Sequence, residues 1–278
     1  LYKTYNGNLL FHGSIPLNED GTFKEVQIYG ETCKGKALYD KLEAYVRKAF
    51  FTVDEKEKKA SQDILWYIWA GPNSPLYGKD KMTTFERYFI ADKETHKEKK
   101  NAYYHLWEKE EVVNRMLEEF GLKINYDFVV DNYCGRILVT QDQGFLQLQS
   151  DRHFPYIPII QNFSSHVITK GLNAMLLQFA SSITNVKTTS AYTFTPLAKS
   201  SSISGVQKVP VFFDIYKTWT RKHDFNQPYN TVAALLNNED NNSAIVVITD
   251  ADFMEDKFFD PFYISNINFA VNSIEWLA

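Results

Sequence analysis

The sequence has few of the features that mark a secreted, membrane-spanning or nucleic-acid-binding protein. It has two cysteines, Cys33 and Cys134, and no CxxC pair, so neither a zinc ribbon nor a disulfide framework is indicated. It has no apolar run of about 18 residues, the length that a membrane-spanning helix needs. The formal net charge of −4 gives no basic excess of the kind that favours nucleic acid. A hydrophobic content of 44% is nevertheless enough for a folded core.

Several catalytic motifs are also missing. The sequence has none of the patterns GxGxxG, GxxxxGK[ST], GxSxG and HExxH. It therefore gives no support for a nucleotide phosphate-binding loop or for the common active-site turns of hydrolases. The opening LYKTYNGN has no basic segment ahead of a long apolar stretch, and we expect no signal peptide. It also lacks an initial methionine, which is typical of a fragment or a processed form.

The two halves of the sequence differ in charge. Residues 1–122 hold 19 Lys and Arg and 20 Asp and Glu, whereas residues 123–278 hold 11 and 14. The first part is therefore about twice as dense in charge, and the second is richer in Ser, Thr and Asn. Such a shift indicates two segments with different histories.

Hydrophobic spacing predicts the main elements. In the first half, NLLFHGSIPL and TFKEVQIYG are typical of strands, and helices are expected at GKALYDKLEAYVRKAFF, at SQDILWYIWAG with Ser61 as N-cap, and at EKEEVVNRMLEEFG. In the second half, YDFVV, RILVT, FLQLQ and AALL indicate strands, KGLNAMLLQFA a helix, and AIVVIT a strand buried on both faces. SNINFAVNSIEWLA closes the chain as a helix whose apolar stripe includes Ile267, Val271 and Ile274.

His12 is the first candidate site residue. It ends an apolar run and is followed by Gly13, which allows the backbone to turn tightly beside a metal. Neutral imidazole is a common ligand of transition metals. The alternative is a histidine at a strand end whose ring bonds a backbone carbonyl, and the residue alone favours that alternative.

Two further groups of residues are candidates. Lys79, Lys81 and Arg87 lie in the most charged part of the chain and could form an anion-binding face; the alternative is a solvated helix face. Asp250 and Asp252 follow the apolar run AIVVIT, where two carboxylates could bind a divalent cation or a hydroxyl-bearing ligand. A turn or helix cap is the alternative for these aspartates.

Long strings in the first half carry a resemblance to a known family. YNGNLLFHGSIPLNEDG, SPLYGKDKMTTFERYFIADKETHKEKKNAYY and NRMLEEFGL resemble the later part of class III fructose-1,6-bisphosphatase over residues 1–122. The resemblance implies a calcineurin-like metallophosphoesterase fold, Mn²⁺ or Mg²⁺, a sugar phosphate substrate, a role in gluconeogenesis and a cytoplasmic location. It also implies that His12 is a ligand of a two-metal centre.

The same resemblance implies other metal-ligand motifs that are not found where they are expected. The motifs expected before His12 are D-x-H, GD-xx-D and GNHD. A GH motif is expected after EEFGL, where the chain has KINYDFVVDNY instead. One imidazole holds a metal weakly and leaves water unactivated. We therefore expect the phosphatase segment to be catalytically incomplete as it stands.

Strings in the second half resemble a different family. GLKINYDFVVDNYCGRI, HFPYIPIIQNFSSHVITKGLNAMLLQFASSI and AIVVITDADFM resemble the gliding-type ABC-transporter auxiliary protein family (GldG) over residues 120–278. The resemblance implies a non-catalytic, extracytoplasmic α/β domain, held by a membrane anchor and associated with transporter membrane subunits. The junction lies at a word that both families share, as a gene fusion, an assembly error or an artificial recombinant would give.

These observations predict a chimera of two α/β parts. Residues 1–121 are expected to form a partial metallophosphoesterase-like α/β segment, and residues 122–278 a second α/β sheet segment. The predicted function is that of a fructose-1,6-bisphosphatase-related segment fused to a GldG-like segment, and the alternative is an auxiliary domain of an ABC transporter. The stripe of the helix before Gly121 is expected to pack on first-half strands.

Overall fold

A computed structural model describes most of the chain. It covers residues 1–5, 8–77, 84–96, 100–106, 108–142, 147–186, 191–240, 242–255 and 264–278. The chain divides into two compact units, Leu1–Val113 and Asn114–Ala278. This division lies a few residues before the junction that the sequence predicts at Gly121. None of the helices in these ranges combines the length and apolar character required to cross a membrane.

The first unit combines two short hairpins with helices. Strands β1 and β2 pair antiparallel, and so do β3 and β4. The elements are β1 (Tyr2–Tyr5), β2 (Asn8–Phe11), β3 (Val26–Ile28), β4 (Glu31–Cys33), α1 (Lys36–Phe51), α2 (Glu55–Ala70), α3 (Thr84–Phe89), a 3₁₀ turn (Lys93–His96), α4 (Tyr103–Leu106) and α5 (Glu110–Glu119).

The core of the first unit lies between α1, α2 and the β3–β4 hairpin. Leu38 and Leu42 of α1 pack with Ile64 and Ile68 of α2, at the spacing that places one apolar stripe on each helix. Both helices were predicted, but α2 begins earlier than expected. Its N-cap is Asp54, whose carboxylate accepts the backbone N–H of Glu57 at 2.7 Å.

Ser61 was therefore the wrong N-cap for α2. It lies inside the helix, where it is buried and its hydroxyl donates to the carbonyl oxygen of Glu57 at 2.8 Å. The prediction started the helix at the first apolar periodic residues, whereas the charged turns before Ser61 are helical as well. Gly71 ends the helix, as predicted.

The second unit consists mainly of antiparallel sheet. Every strand pair described in it is antiparallel, and the largest sheet runs in the order β5-β11-β14-β12-β9, with β15 on β14. The elements are β5 (Leu122–Ile124), β6 (Asp127–Asp131), β7 (Cys134–Asp142), β8 (Gln147–Ile160), β9 (Asn162–Phe163), a 3₁₀ turn (Val167–Thr169), β10 (Met175–Leu176), β11 (Ile183–Asn185), β12 (Thr193–Lys199), β13 (Ser204–Lys208), β14 (Thr231–Asn238), β15 (Ser243–Ile248) and α6 (Ile264–Leu277). The predicted α/β class is confirmed.

Strand β14 forms the centre of the second unit. Five consecutive residues of it, Val232–Leu236, are buried, because neighbouring strands flank it and both faces are covered. β15 was expected to be buried in this way but is only partly buried along its whole length. It lies at the edge of the sheet and pairs with β14 alone among the described strands.

The helix predicted at residues 170–180 is absent, and this prediction was wrong. The backbone there pairs with other elements instead of with itself. Leu176 lies opposite Ile159 of β8, and the side chain of Asn266 accepts from its N–H at 3.1 Å and donates to its carbonyl at 2.8 Å. Tertiary hydrogen bonds therefore override a sequence of good helix formers.

Helix α5 carries residues of both units. Val112 packs with Leu17 and with Leu106 of α4, which lie in the half that was predicted but not in one of its strands. Leu117 packs with Leu122 and β14 residues of the second unit, which contradicts the expectation that the whole stripe would face first-half strands. The reason is local, since Leu117 lies only a short stretch of chain before Leu122 and β5, which belongs to the large sheet.

Candidate functional site

His12 lies in a tight turn directly after β2. The next residue, Gly13, has φ = +92°, and a Cβ placed on it would lie 2.2 Å from the carbonyl oxygen of Pro75. Only glycine combines this left-handed conformation with so close an approach of another backbone. The turn is thus pressed against the segment that follows α2.

Ser14 fastens this turn to the rest of the first unit. Its backbone N–H donates to the Pro75 carbonyl oxygen at 2.6 Å and its hydroxyl to the same oxygen at 3.1 Å. Its own carbonyl accepts the hydroxyl of Tyr39 at 2.9 Å. Burial, with the nearby Tyr103 and Tyr104 phenols adding to it, raises the pKa of Tyr39 to about 12. Tyr39 therefore keeps its proton, and this bond, across the neutral range.

The side chain of His12 is exposed on this fixed backbone. The backbone N–H of His12 donates to the carbonyl oxygen of Leu1 at 3.3 Å. The arrangement presents an imidazole from a rigid turn, as a metal ligand requires. Among the described residues, however, no group of three His, Cys, Asp or Glu side chains gathers where it could hold a metal ion. The side chains that the structure describes therefore do not fit a two-metal centre.

The basic segment is described only in part. Arg87 lies on the short helix α3 and is exposed, where its guanidinium can reach an anion in solvent. Lys79 and Lys81 lie outside the described residues. The anion-binding face predicted for these three residues therefore stays a prediction.

Asp250 and Asp252 follow β15 in a turn of the second unit. Asp250 is buried, and its carboxylate accepts the backbone N–H groups of Gln178 at 2.7 Å and Asp252 at 2.9 Å. Burial raises the pKa of this carboxyl, although the two backbone hydrogen bonds oppose the rise. Asp252 is exposed. The oxygens of Asp250 are thus engaged by backbone, which is the turn role that the sequence offered as the alternative to a cation site.

Two other buried carboxylates have the same kind of partner, and the sequence did not reveal them. Asp127 accepts the N–H of Ser182 at 2.8 Å and its hydroxyl at 2.7 Å. Asp131 accepts both the N–H and the hydroxyl of Ser201 at 2.7 Å. Each pair is separated by more than 50 residues in sequence, so no local spacing could have signalled it. Both serve to fix loops against strands.

A cysteine and a histidine also meet in the second unit. The sulfur of Cys134 lies 4.0 Å from Nδ1 of His153, and Arg136 lies 3.0 Å from Nε2 of the same ring. Burial raises the pKa of the Cys134 thiol to about 11. The thiol is therefore protonated near neutral pH and lacks the thiolate character of a nucleophile.

Comparison with known families assigns both parts of the chain. A family model described as Firmicute fructose-1,6-bisphosphatase matches residues 1–153, and one described as an ABC-type uncharacterized transport system matches residues 86–275. The chain belongs to both families. The two matches overlap over residues 86–153, a range that includes α5 and the boundary between the two units. The predicted combination of a phosphatase-like and a transporter-auxiliary segment is confirmed.

Individual relatives of the first part are class 3 fructose-1,6-bisphosphatases. The chain is 54% identical over 134 residues to that of Clostridium acetobutylicum, covering 48% of this chain and 20% of the relative. It is 52% identical over 145 residues to that of Clostridium botulinum strain Loch Maree, covering 52% and 21%. With one from Clostridium beijerinckii the identity is 58% over 159 residues, covering 52% and 24%. The chain thus spans about a fifth to a quarter of the length of these relatives.

Proposed function

We propose that the first unit is a segment of a metal-dependent sugar-bisphosphate phosphatase, acting on fructose 1,6-bisphosphate in gluconeogenesis. In this proposal His12 supplies one ligand to a divalent metal, Mn²⁺ or Mg²⁺. The observation that carries it is the His12–Gly13–Ser14 turn, which presents an exposed imidazole within the residues that the fructose-1,6-bisphosphatase family model matches. On its own the chain is catalytically incomplete.

A Mn²⁺ titration tests the ligand role of His12. Mn²⁺ should bind weakly. The paramagnetic broadening of amide signals should be centred on His12 and should disappear in His12→Ala. His223→Ala removes another exposed histidine and serves as the matched control. Broadening that survives His12→Ala, or that the control removes equally, contradicts the proposal.

An activity assay tests the incompleteness. We expect no release of phosphate from fructose 1,6-bisphosphate by the purified chain with Mn²⁺, because a metal on one imidazole is weakly held and does not activate water. Turnover that also disappears in His12→Ala shows instead that the chain assembles a complete site.

The basic segment is proposed to attract the phosphate groups of the same substrate. Exposed charge pairs contribute only about 0.2–1 kcal/mol each and weaken with salt. Fructose 1,6-bisphosphate should then shift the amide signals around Arg87 at low salt and less at high salt. Signal shifts that spread evenly over the molecule would mean that the basic segment is a solvated surface and not an anion-binding face.

A second function is proposed for the other unit, because its family match covers residues 86–275. The unit then acts as a non-catalytic accessory domain that binds the membrane subunits of an ABC transporter on the extracytoplasmic side. The carboxylate of Asp250 supports this reading, because it is engaged by backbone N–H groups. The neighbouring DNA tests it most cheaply: transporter genes and an apolar 20-residue segment downstream support it, whereas upstream D-x-H and GNHD words support the cytoplasmic phosphatase.

A further inference from the structure

A loop with exposed aromatic side chains follows β13 in the second unit. It spans residues 209–223 and has the sequence VPVFFDIYKTWTRKH. Phe212 is the most exposed of its aromatic residues, with 94% of its surface accessible to solvent, and Val209 and Phe213 are exposed as well. A single exposed apolar side chain is ordinary, but several together mark a surface that contacts a protein or a membrane.

The base of this loop is packed against the second unit. Val211, Ile215 and Trp219 lie in one hydrophobic cluster with buried Tyr156, and the rings of Tyr156 and Trp219 are 5.3 Å apart. These inward-facing residues are spaced four positions apart, and Phe212 lies between the first two of them. The loop therefore holds Phe212 outward from a packed base.

Neighbouring chain extends the exposed apolar surface around the loop. The ring of Phe213 lies 5.3 Å from that of Phe179, and the N–H of Val209 donates to the carbonyl oxygen of Tyr126 at 3.2 Å. Phe179 and Tyr126 are themselves exposed. Together with Phe212 these four residues form a continuous patch, which we call the aromatic surface.

The charges around the aromatic surface are mainly positive. Residues 208–224 hold four Lys and Arg and two Asp, whereas residues 123–278 as a whole hold 11 and 14. Lys217 lies 2.7 Å from Asp224, so this pair adds no net charge. The other basic residues of the stretch are all exposed, namely Lys208, Arg221 and Lys222. A unit that is acidic overall thus places a basic excess beside its aromatic surface.

This charge pattern favours lipid over a protein as the partner. Protein interfaces are depleted of lysine, whereas basic side chains next to aromatic ones are attracted to anionic headgroups. A second copy of the chain on the same surface would bring two basic loops together, and like charges oppose such a contact. The partner that complements both features is an apolar layer under a negatively charged surface.

We propose that the loop inserts into the surface of a membrane that contains anionic lipids. Phe212 enters the boundary between headgroups and acyl chains, and Arg221 and Lys222 contact lipid phosphates. Binding of this kind depends on buried apolar area together with electrostatic attraction. The proposal rests on the proposed accessory function in one respect, that the second unit works beside a membrane. It adds a peripheral lipid contact made by the folded domain, separate from any membrane-spanning anchor.

Co-sedimentation of the full chain with protein-free vesicles tests the lipid contact. The chain should bind phosphatidylcholine vesicles that contain phosphatidylglycerol, and should bind less to pure phosphatidylcholine or at high salt. Phe212→Ser should weaken binding about tenfold, because the apolar area of one inserted ring is lost. Phe51→Ser removes an exposed ring at the end of α1 and should change binding less than about twofold. Equal effects of the two variants, or no binding at millimolar lipid, overturn the proposal.

The double variant Arg221→Gln/Lys222→Gln tests the basic side chains. It should weaken binding to the anionic vesicles about tenfold. Lys56→Gln/Lys59→Gln removes the same charge from exposed positions on α2 and should change binding less than about twofold. Equal losses in the two double variants indicate attraction by net charge alone and overturn the site.

An environment-sensitive dye separates insertion of the loop from adsorption. Phe212→Cys in a Cys33→Ser background places the dye at the tip of the loop, and its emission should shift to the blue on anionic vesicles. The same dye on Phe51→Cys should show no shift, and equal spectra overturn the insertion. Sedimentation velocity without lipid tests the other occupant: a dimer that Phe212→Ser abolishes shows that a second copy covers the aromatic surface, and it refutes the lipid contact.

This outcome is separable from that of the proposed accessory function, because the vesicles contain no transporter subunit. Transporter genes in the neighbouring DNA without vesicle binding support the accessory function and refute the lipid contact. Vesicle binding that depends on Phe212, without such genes, gives the reverse. Thermal melts of each variant by circular dichroism confirm that the fold is retained.

Discussion

The carbonyl oxygen of Pro75 accepts two hydrogen bonds from Ser14, at 2.6 Å from the backbone nitrogen and 3.1 Å from the hydroxyl. These residues are 61 positions apart, so the bonds tie the strand-end turn to the chain that leaves α2. Such a tie fixes the direction in which His12 leaves the turn. The position of the candidate ligand thus depends on the packing of backbone against backbone.

Replacing Gly13 should show how tightly this turn is packed. Gly13→Ala places a Cβ 2.2 Å from the Pro75 oxygen at a φ of +92°, and we expect a loss of about 3–5 kcal/mol in unfolding free energy. Gly30→Ala is the matched control, because Gly30 has φ = +85° with nothing within 4 Å of the added carbon. It should cost only about 1–2 kcal/mol. Equal losses in urea unfolding contradict the close approach.

Trypsin should distinguish the observed unit boundary from the junction predicted at Gly121. Lys109, just before α5, and Arg115, in the middle of α5, are exposed. Lys123 lies in β5, which pairs with β11, and its ammonium group is 2.9 Å from Glu118. Cleavage requires local opening, so Lys109 or Arg115 should be cut before Lys123. Lys109→Gln/Arg115→Gln should remove these cuts without exposing Lys123. Early cleavage at Lys123, measured by mass spectrometry, restores the predicted junction.

The second unit should gain stability from Asp250 as the pH falls. Burial raises the pKa of this carboxyl in the folded chain, so the folded state binds the proton more tightly than the unfolded state does. The gain begins as the pH falls through the raised pKa and is complete below the usual carboxyl value. Asp250→Asn should lose this part of the pH dependence.

Urea unfolding of wild type and Asp250→Asn at several pH values between neutral and mildly acid measures this difference. Asp131 shows the same direction of shift, again because burial raises its pKa. Asp131→Asn is therefore the comparison variant and should remove a separate part of the slope. An unchanged slope in Asp250→Asn means that the carboxyl is not buried in solution.

The two free cysteines should react at different rates with iodoacetamide. Cys33 lies partly exposed in β4, whereas Cys134 is buried and burial raises its pKa to about 11. At pH 8 roughly one Cys134 in a thousand is then a thiolate. Cys33 should be alkylated first, and Cys33→Ser should leave a chain that reacts slowly. Fast reaction of that variant shows that Cys134 is accessible.

Elements with a long, regular apolar spacing were predictable from sequence. Helices α1 and α5 lie where the spacing of Leu38 and Leu42, or of Val113 and Leu117, places them. The segment around Leu176 was not, because its hydrogen bonds are made with Pro158 and Asn266, which are distant in sequence. Local propensity cannot report such partners.

The candidate sites divide in the same way. The glycine after His12 signals a tight turn, but nothing near it in sequence names Pro75 as the oxygen that the turn contacts. An aspartate after a strand is a residue suited to a turn, yet the bond of Asp250 to Gln178 spans 72 positions.

Helix α6 turns its polar residues inward. Asn266 and Ser273 are buried with Phe269, whereas Val271 and Ile274 of the predicted apolar stripe are exposed by 44% and 62%. The reason is that the side chain of Asn266 makes three hydrogen bonds with the backbone groups of Leu176 and Phe253. An apolar side chain could make none of them. Solubility and stability are therefore controlled from different positions around this helix, one exposed and one buried. A charge at Ile274 should raise solubility at little cost to folding, whereas an apolar residue at Asn266 leaves backbone groups unpaired.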